Sequence, residues 1–209
     1  MDIVITIFSL VVLLFSVIIH ELAHGSVALL LGDSTAKYQG RLTLNPLKHL
    51  DLFGSVILPL LLLFATAGQG PIFGWAKPVP INPYNLKDQK WGSMKVALSG
   101  PIVNIAMAIM FGLLLRLLPS SLFIANPGLF LIFSFIVQIN IVLALFNLIP
   151  IPPLDGHWIL FTLIPNKFSQ IRIFLQQYGI FILIFLIFFG GLHILYAVVE
   201  HIFYLITGL

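Results

Sequence analysis

His20-Glu21-Leu22-Ala23-His24 is the sharpest chemical feature of the sequence. Residues four apart on a helix share one face, one turn above the other. Two imidazoles so placed can hold one Zn²⁺ through ring nitrogens, and the Glu beside the first His can act on water as a general base. A catalytic zinc needs three protein ligands and an open position. The best third candidate is Asp155, in Asn147-Leu-Ile-Pro-Ile-Pro-Pro-Leu-Asp155-Gly156. Pro150, Pro152 and Pro153 break a helix there, so freed carbonyls and a carboxylate face the interior or a cavity. Spacing alone leaves two readings for Asp155: a third ligand, or an Asp-Gly turn at the membrane surface. The chain has no cysteine, which excludes thiolate metal sites, disulfides and Cys nucleophiles.

The elements that must position these groups belong in lipid. Of the 209 residues, 60% are hydrophobic and 8% charged. Soluble domains hold roughly 45–50% apolar and about 25% charged residues. A sphere this small cannot hide so much apolar surface from water. An ordinary soluble domain and a disordered chain are both excluded. The net charge of +3 arises from ten basic and seven acidic residues, which is no nucleic-acid footprint.

Apolar runs predict spans over 3–31, 96–115, 129–148 and 173–205, the last interrupted at Gly190-Gly191. The first would reach roughly 44 Å as a helix, against ~30 Å of hydrocarbon. No Lys or Arg precedes it and no small-residue cleavage site closes it, so a span is expected, not a signal peptide. Phe53–Ala67 is marginal at roughly 20 Å. Pro71, Pro78, Pro80 and Pro83 then favour extended backbone. Residues 53–83 therefore read as a short re-entrant segment, with a full crossing as the alternative. The re-entrant reading puts eight of the ten basic residues on one face, with Arg116 opposite and Lys77 in the return leg. That face is then cytoplasmic. Non-helical backbone at membrane depth must be buried in protein or line a wet cavity. The expected fold is one all-α polytopic membrane domain over 1–209. It is a helical bundle with a re-entrant, extended hairpin beside an intramembrane zinc site.

Glu21 sharpens the metal reading. A charge at mid-membrane costs roughly 2.5–3.5 kcal/mol on insertion scales. The plainer alternative for its cluster is a set of hydrogen bonds that glues helices together.

Taken together, His20-Glu-Leu-Ala-His24-Gly and Asn147-Leu-Ile-Pro-Ile-Pro-Pro-Leu-Asp155-Gly resemble the motifs of the site-2 protease family of intramembrane zinc metalloproteases. Gly40–Asp51 resembles the family's hairpin, Gly74–Asn82 its Pro-rich membrane loop, and Ser99-Gly-Pro-Ile-Val-Asn104 the start of its next core helix. The resemblance implies one Zn²⁺ held by His20, His24 and Asp155, with Glu21 activating water. It implies that Asn147 binds substrate backbone. Around the return leg, Gly74, Pro78, Val79 and Pro80 would border a substrate presented by strand addition. The implied partners are the lipid bilayer, a single-span membrane protein or leftover signal peptide as substrate, and a regulatory membrane protein, with no nucleic acid. The chain lacks the PDZ or CBS modules of many relatives. A multi-pass protein of a prokaryotic cytoplasmic membrane is expected, its site nearer the cytoplasmic side.

Several groups fall outside that set. His157 stands where many family members have Gly, and is expected to be an interface residue. Asn104 and Asn140 are expected to pack helices. His193, Glu200 and His201 read as a helix end near the surface. Two rivals remain: a membrane metal or proton transporter using the same histidines, and a substrate-binding pseudoprotease. An intact Glu21 speaks against the first, and the filled catalytic positions against the second.

Overall fold

The computed structural model describes residues 3–65 and 77–209. Its α-helices are α1 (Ile3–Leu30), α2 (Thr35–Tyr38), α3 (Leu58–Ala65), α4 (Gly92–Leu117), α5 (Ser120–Ala125), α6 (Pro127–Asn147), α7 (Gly156–Leu163), α8 (Ser169–Leu186) and α9 (Leu192–Thr207). No strand occurs among the described residues. Four stretches are long and apolar enough to cross a membrane: Ile7–Leu30, Gly92–Leu117, Pro127–Asn147 and Ser169–Thr207. The protein is thus an all-α polytopic membrane protein.

The helix expected over 96–115 begins at Gly92, ahead of Val96, because Gly92 stands at its first position and Ser93-Met-Lys95 holds no glycine or proline to stop it. Pro101 sits inside α4, as membrane helices tolerate when neighbours re-satisfy the backbone. The last run is kinked where the sequence has Gly190-Gly191. Phe189 leaves helical geometry and Gly190 takes a φ of +99°, a region open to glycine.

The bundle centres on α4, which packs against α1, α6, α7 and α9. Ala108, Leu115, Val137, Ile141 and Val199 form an apolar cluster in the half away from the α1–α2 turn. The opposite half carries polar side chains between the helices, described below. Many large side chains, such as Leu10, Phe64, Phe181 and Phe188, point outward, as lipid contact allows.

The loop face is tied together by backbone bonds. Lys77 N donates to His49 O at 2.9 Å, which sets these two residues side by side. Between them, 52–57 form a π-helical turn that runs into α3, and α3 is not among the spanning helices. Gly74 lies outside the described residues. The chain re-emerges in extended form at 77–82. Arg41 Nη2 donates to Lys77 O at 2.6 Å and to Pro78 O at 3.2 Å, which pins this leg to the loop after α2.

Asp33 performs the matching task at the end of α1. Its buried carboxylate accepts from Thr35 N at 3.0 Å, Asn82 N at 2.7 Å and Asn85 Nδ2 at 3.0 Å. Burial alone would raise its pKa, but the hydrogen bonds from Thr35, Asn82 and Asn85 outweigh burial and lower it. A depressed carboxyl contributes stability at neutral pH that fades as pH falls through the folded-state pKa. Asp33→Asn is expected to cost about 1–3 kcal/mol of stability in detergent at pH 7. In thermal unfolding followed against pH, its gap from the parent should narrow in acid. A gap that persists unchanged in acid would contradict this role.

Candidate metal centre

His20 and His24 lie on the face of α1 turned towards α4, each 5% exposed. That face is buried because α4 packs on α1 without a side chain at Gly100. A Cβ there would stand 2.5 Å from the His20 ring and 2.6 Å from His24 Cε1. Asp155 reaches the same spot from the loop after α6. Gly156 lets that loop fold back on the helix end, since a Cβ would meet Leu148 O at 2.3 Å.

Three atoms converge. His20 Nε2 lies 3.0 Å from Asp155 Oδ2, His24 Nε2 lies 3.1 Å from it, and the two Nε2 atoms are 3.0 Å apart. This triangle can hold a metal ion. Bonds of about 2.0–2.1 Å in a tetrahedral zinc site imply ligand separations of about 3.3 Å. The observed edges fall short by only a few tenths of an ångström.

The surrounding hydrogen bonds decide what the triangle can bind. Ile136 O is a carbonyl and can only accept, so Asn140 Nδ2 must face it, at 2.8 Å. Asn140 Oδ1 then accepts from Asn104 Nδ2 at 2.7 Å. Asn104 Oδ1 is left to accept from His20 Nδ1–H at 2.5 Å. Ser16 completes the cluster by accepting from Asn140 Nδ2 at 3.0 Å. His24 Nδ1–H donates to Val96 O at 2.7 Å. With both Nδ1 atoms protonated, each neutral ring points a bare lone pair at the carboxylate oxygen. Three electron-rich atoms aimed at one point form a cation site. Such partners behind ligating histidines fix the tautomer and tune the metal.

Glu21 extends from the same turn of α1. Its Oε2 accepts from Val79 N at 2.7 Å, so the return leg is anchored beside the histidines. Pro78 and Pro80 lack an N–H, and the Val79 N–H is taken by Glu21, so this stretch offers a neighbour only carbonyl acceptors. A cavity of about 230 Å³ opens here, bordered by His24, Asp155, Val79, Ile81, Ser93 and Trp158. The structure therefore brings His20, Glu21, His24, Asp155 and Val79 into one region. Asn147 turns its amide nitrogen back to Leu143 O at 3.0 Å, on its own helix. His157 packs against Trp158 and Phe161, with ring centroids at 4.7 and 5.1 Å, and Nδ1 on Leu154 O. Burial lowers its pKa, which keeps it neutral.

Sequence reasoning assigned Asn104 and Asn140 to helix packing alone. They are fully buried and reach His20 through one hydrogen-bonded line. Ser16 was not singled out, and Gly100 entered only as part of the Ser99–Asn104 segment, with no role at the histidines. The available signal was Ser16 four residues before His20, on its face, and two asparagines inside spans where a polar group needs a partner.

An integral membrane bundle that aims two imidazoles and a carboxylate at one point defines a membrane metalloprotein. The comparisons give it a family. The model of Peptidase family M50 matches residues 123–189. YwhC of Bacillus subtilis (strain 168), named as a zinc metalloprotease, is 40% identical over 183 residues, covering 86% of this chain and 78% of YwhC. Rip2 of Mycolicibacterium smegmatis is 31% identical over 144 residues, covering 69% of this chain and 52% of Rip2. MJ0611 of Methanocaldococcus jannaschii is 41% identical over 66 residues, 32% of each chain. No solved structure matches. The chain belongs to peptidase family M50, the site-2 protease family, and is a zinc metalloprotease of that type.

The hydrogen-bonded line to His20 generates a test. Asn104→Leu should lower zinc affinity about 10-fold to 100-fold while the bundle still folds. Gly100→Ala should lower it as well, by pushing the imidazoles apart. Zinc titration against a competing chelator measures both, and parental affinity in Asn104→Leu would contradict the assignment.

Proposed function

We propose that this protein hydrolyses peptide bonds in or near the membrane-spanning segments of its substrates. The observation that carries the reading is the burial of the triangle between spanning helices α1 and α4, ten residues before α1 ends at Leu30. That is roughly 15 Å along the helix axis. His20, His24 and Asp155 are the proposed zinc ligands, and Glu21 the general base. Bound zinc supplies a Lewis acid that polarises the scissile carbonyl and acidifies the attacking water.

The chain's own residues do the rest. Glu21 accepts the proton from the attacking water and returns it to the leaving amine. The Val79 N–H holds the Glu21 carboxylate in place. Asn104 Oδ1 and Val96 O accept the Nδ1 protons, so in the neutral rings both Nε2 lone pairs face the site. The carbonyls of Val79 and Pro80 would offer acceptors to the N–H groups of an unwound substrate, with Pro78, whose carbonyl accepts from Arg41, holding the leg beside them as a proposed binding residue. Asn147 is the proposed further contact to substrate backbone, and Gly74 is proposed with the Pro-rich segment on the strength of the sequence alone.

The substrate class we propose is a single-span membrane protein or a leftover signal peptide. Lys37, Arg41, Lys48, Lys77, Lys87, Lys90, Lys95, Lys167 and Arg172 fall on or beside the loop face, which leaves Arg116 opposite. The positive-inside rule makes that face cytoplasmic, with a prokaryotic cytoplasmic membrane as the proposed location. A regulatory membrane partner would then control access.

Glu21→Gln tests the reading. Purified in detergent, the variant should retain one zinc per chain. Its cleavage of a panel of single-span substrates should fall by about 10²–10⁴-fold. Parental cleavage by the variant would sink the role of Glu21, and no zinc in either protein would sink the hydrolase mechanism.

A further inference from the structure

A second and larger cavity, about 740 Å³, lies on the loop face between the 89–91 turn and α7–α8. Lys90, Trp91, Trp158, Phe161, Arg172 and Gln176 are among its walls. It shares Ser93 and Trp158 with the 230 Å³ cavity beside His24 and Asp155. The two spaces are therefore neighbours, with Ser93 and Trp158 at their common border.

The charge of this groove is one-sided. Its lining has two cations, Lys90 and Arg172, and no carboxylate. The nearby Asp88 is engaged, with Lys95 Nζ at 2.6 Å from its Oδ2. Lys90 Nζ lies 4.9 Å over the Trp91 ring. Arg172 spends one nitrogen on Ile164 O, and its Nε is buried with no partner. The two indoles and Gln176 add donors and flat apolar surface. A cavity of this size suits a ligand segment of several groups.

We propose that this groove receives the substrate segment flanking the scissile bond on the loop side, and that Lys90 and Arg172 select acidic residues in it. The proposal rests on the peptidase reading above. Adjacency to the metal site favours polypeptide over lipid as the occupant: the groove borders the space beside His24 and Asp155, within reach of a chain held there. Charge complementarity favours Asp and Glu over Lys and Arg.

The test separates binding from turnover. Three peptides are prepared, each a hydrophobic span followed by a loop-side segment containing three Asp, three Ser or three Lys. Their affinity for the full-length Glu21→Gln protein is measured by fluorescence anisotropy in neutral detergent at low salt. The Asp peptide should bind about 3-fold to 10-fold more tightly than the Lys peptide, as expected for two partly exposed ion pairs. Added salt should shrink the difference. Adding Lys90→Glu and Gln176→Glu, both at exposed positions, should reverse the order. Arg172 is left intact because it supports the Ile164 carbonyl. Equal affinities, no binding, or a preference that survives the double substitution would each overturn the proposal. A preference for phosphatidylglycerol that vanishes in the variant, without any effect of peptide charge, would assign the groove to lipid and also overturn it. Failure of the peptidase reading looks different: the parent protein would bind the Asp peptide with the expected preference and leave it uncut.

Discussion

Two imidazole lone pairs and a carboxylate oxygen, 3.0–3.1 Å apart at the edge of a cavity between the helices, repel one another unless a cation stands among them. Buried, uncompensated groups of this kind are costly. Much of the molecule serves to hold that arrangement. Gly100 leaves room for the histidines, where a Cβ would meet both rings. The Pro-rich turn after α6 and the bare backbone at Gly156 bring Asp155 under them. The line from Ile136 O through Asn140 and Asn104 sets the tautomer of His20, and Val96 O sets that of His24. The metal couples to the fold through these contacts, because ligands spread over α1 and the α6–α7 turn meet only when the bundle is assembled.

The second constraint is the solvent. In lipid every backbone polar group needs an internal partner, and irregular backbone survives only against protein or water. The extended leg at 77–82 meets part of that demand with Arg41, His49, Glu21 and Asp33 as its partners, and borders the cavity at Val79 and Ile81. The same bonds draw it to the metal site. Glu21 is thus served by the leg it anchors, and the cost of a carboxylate among spanning helices is offset by a backbone N–H and by the cavity beside it.

Much of this was legible in the sequence, for physical reasons. Apolar runs between Gly and Pro breakers mark the spans, since length in lipid is set by bilayer thickness. The His20–His24 spacing marks one helix face. Asp155 was balanced between ligand and surface turn, because a carboxylate's reach depends on how the Pro150–Pro153 turn folds back, which is a tertiary fact. Asn104 and Asn140 were read as packing groups, because their partners depend on the rotation of α4 and α6 about their axes. For Asn147 the sequence leaves open a contact to substrate or a span-end Asn that satisfies loose carbonyls, and its amide nitrogen bonds to Leu143 O of its own helix. The groove of Lys90 and Arg172 joins residues 82 positions apart and has no local signature.

Zinc K-edge X-ray absorption on the loaded protein is the most direct measurement of the triangle. Two imidazoles with oxygen ligands at about 2.0–2.1 Å, in a four-coordinate shell, are predicted. Asp155→Ala should change the oxygen shell and leave both imidazoles in place. A shell with one imidazole or none, or one that Asp155→Ala leaves untouched, would contradict the site as built here.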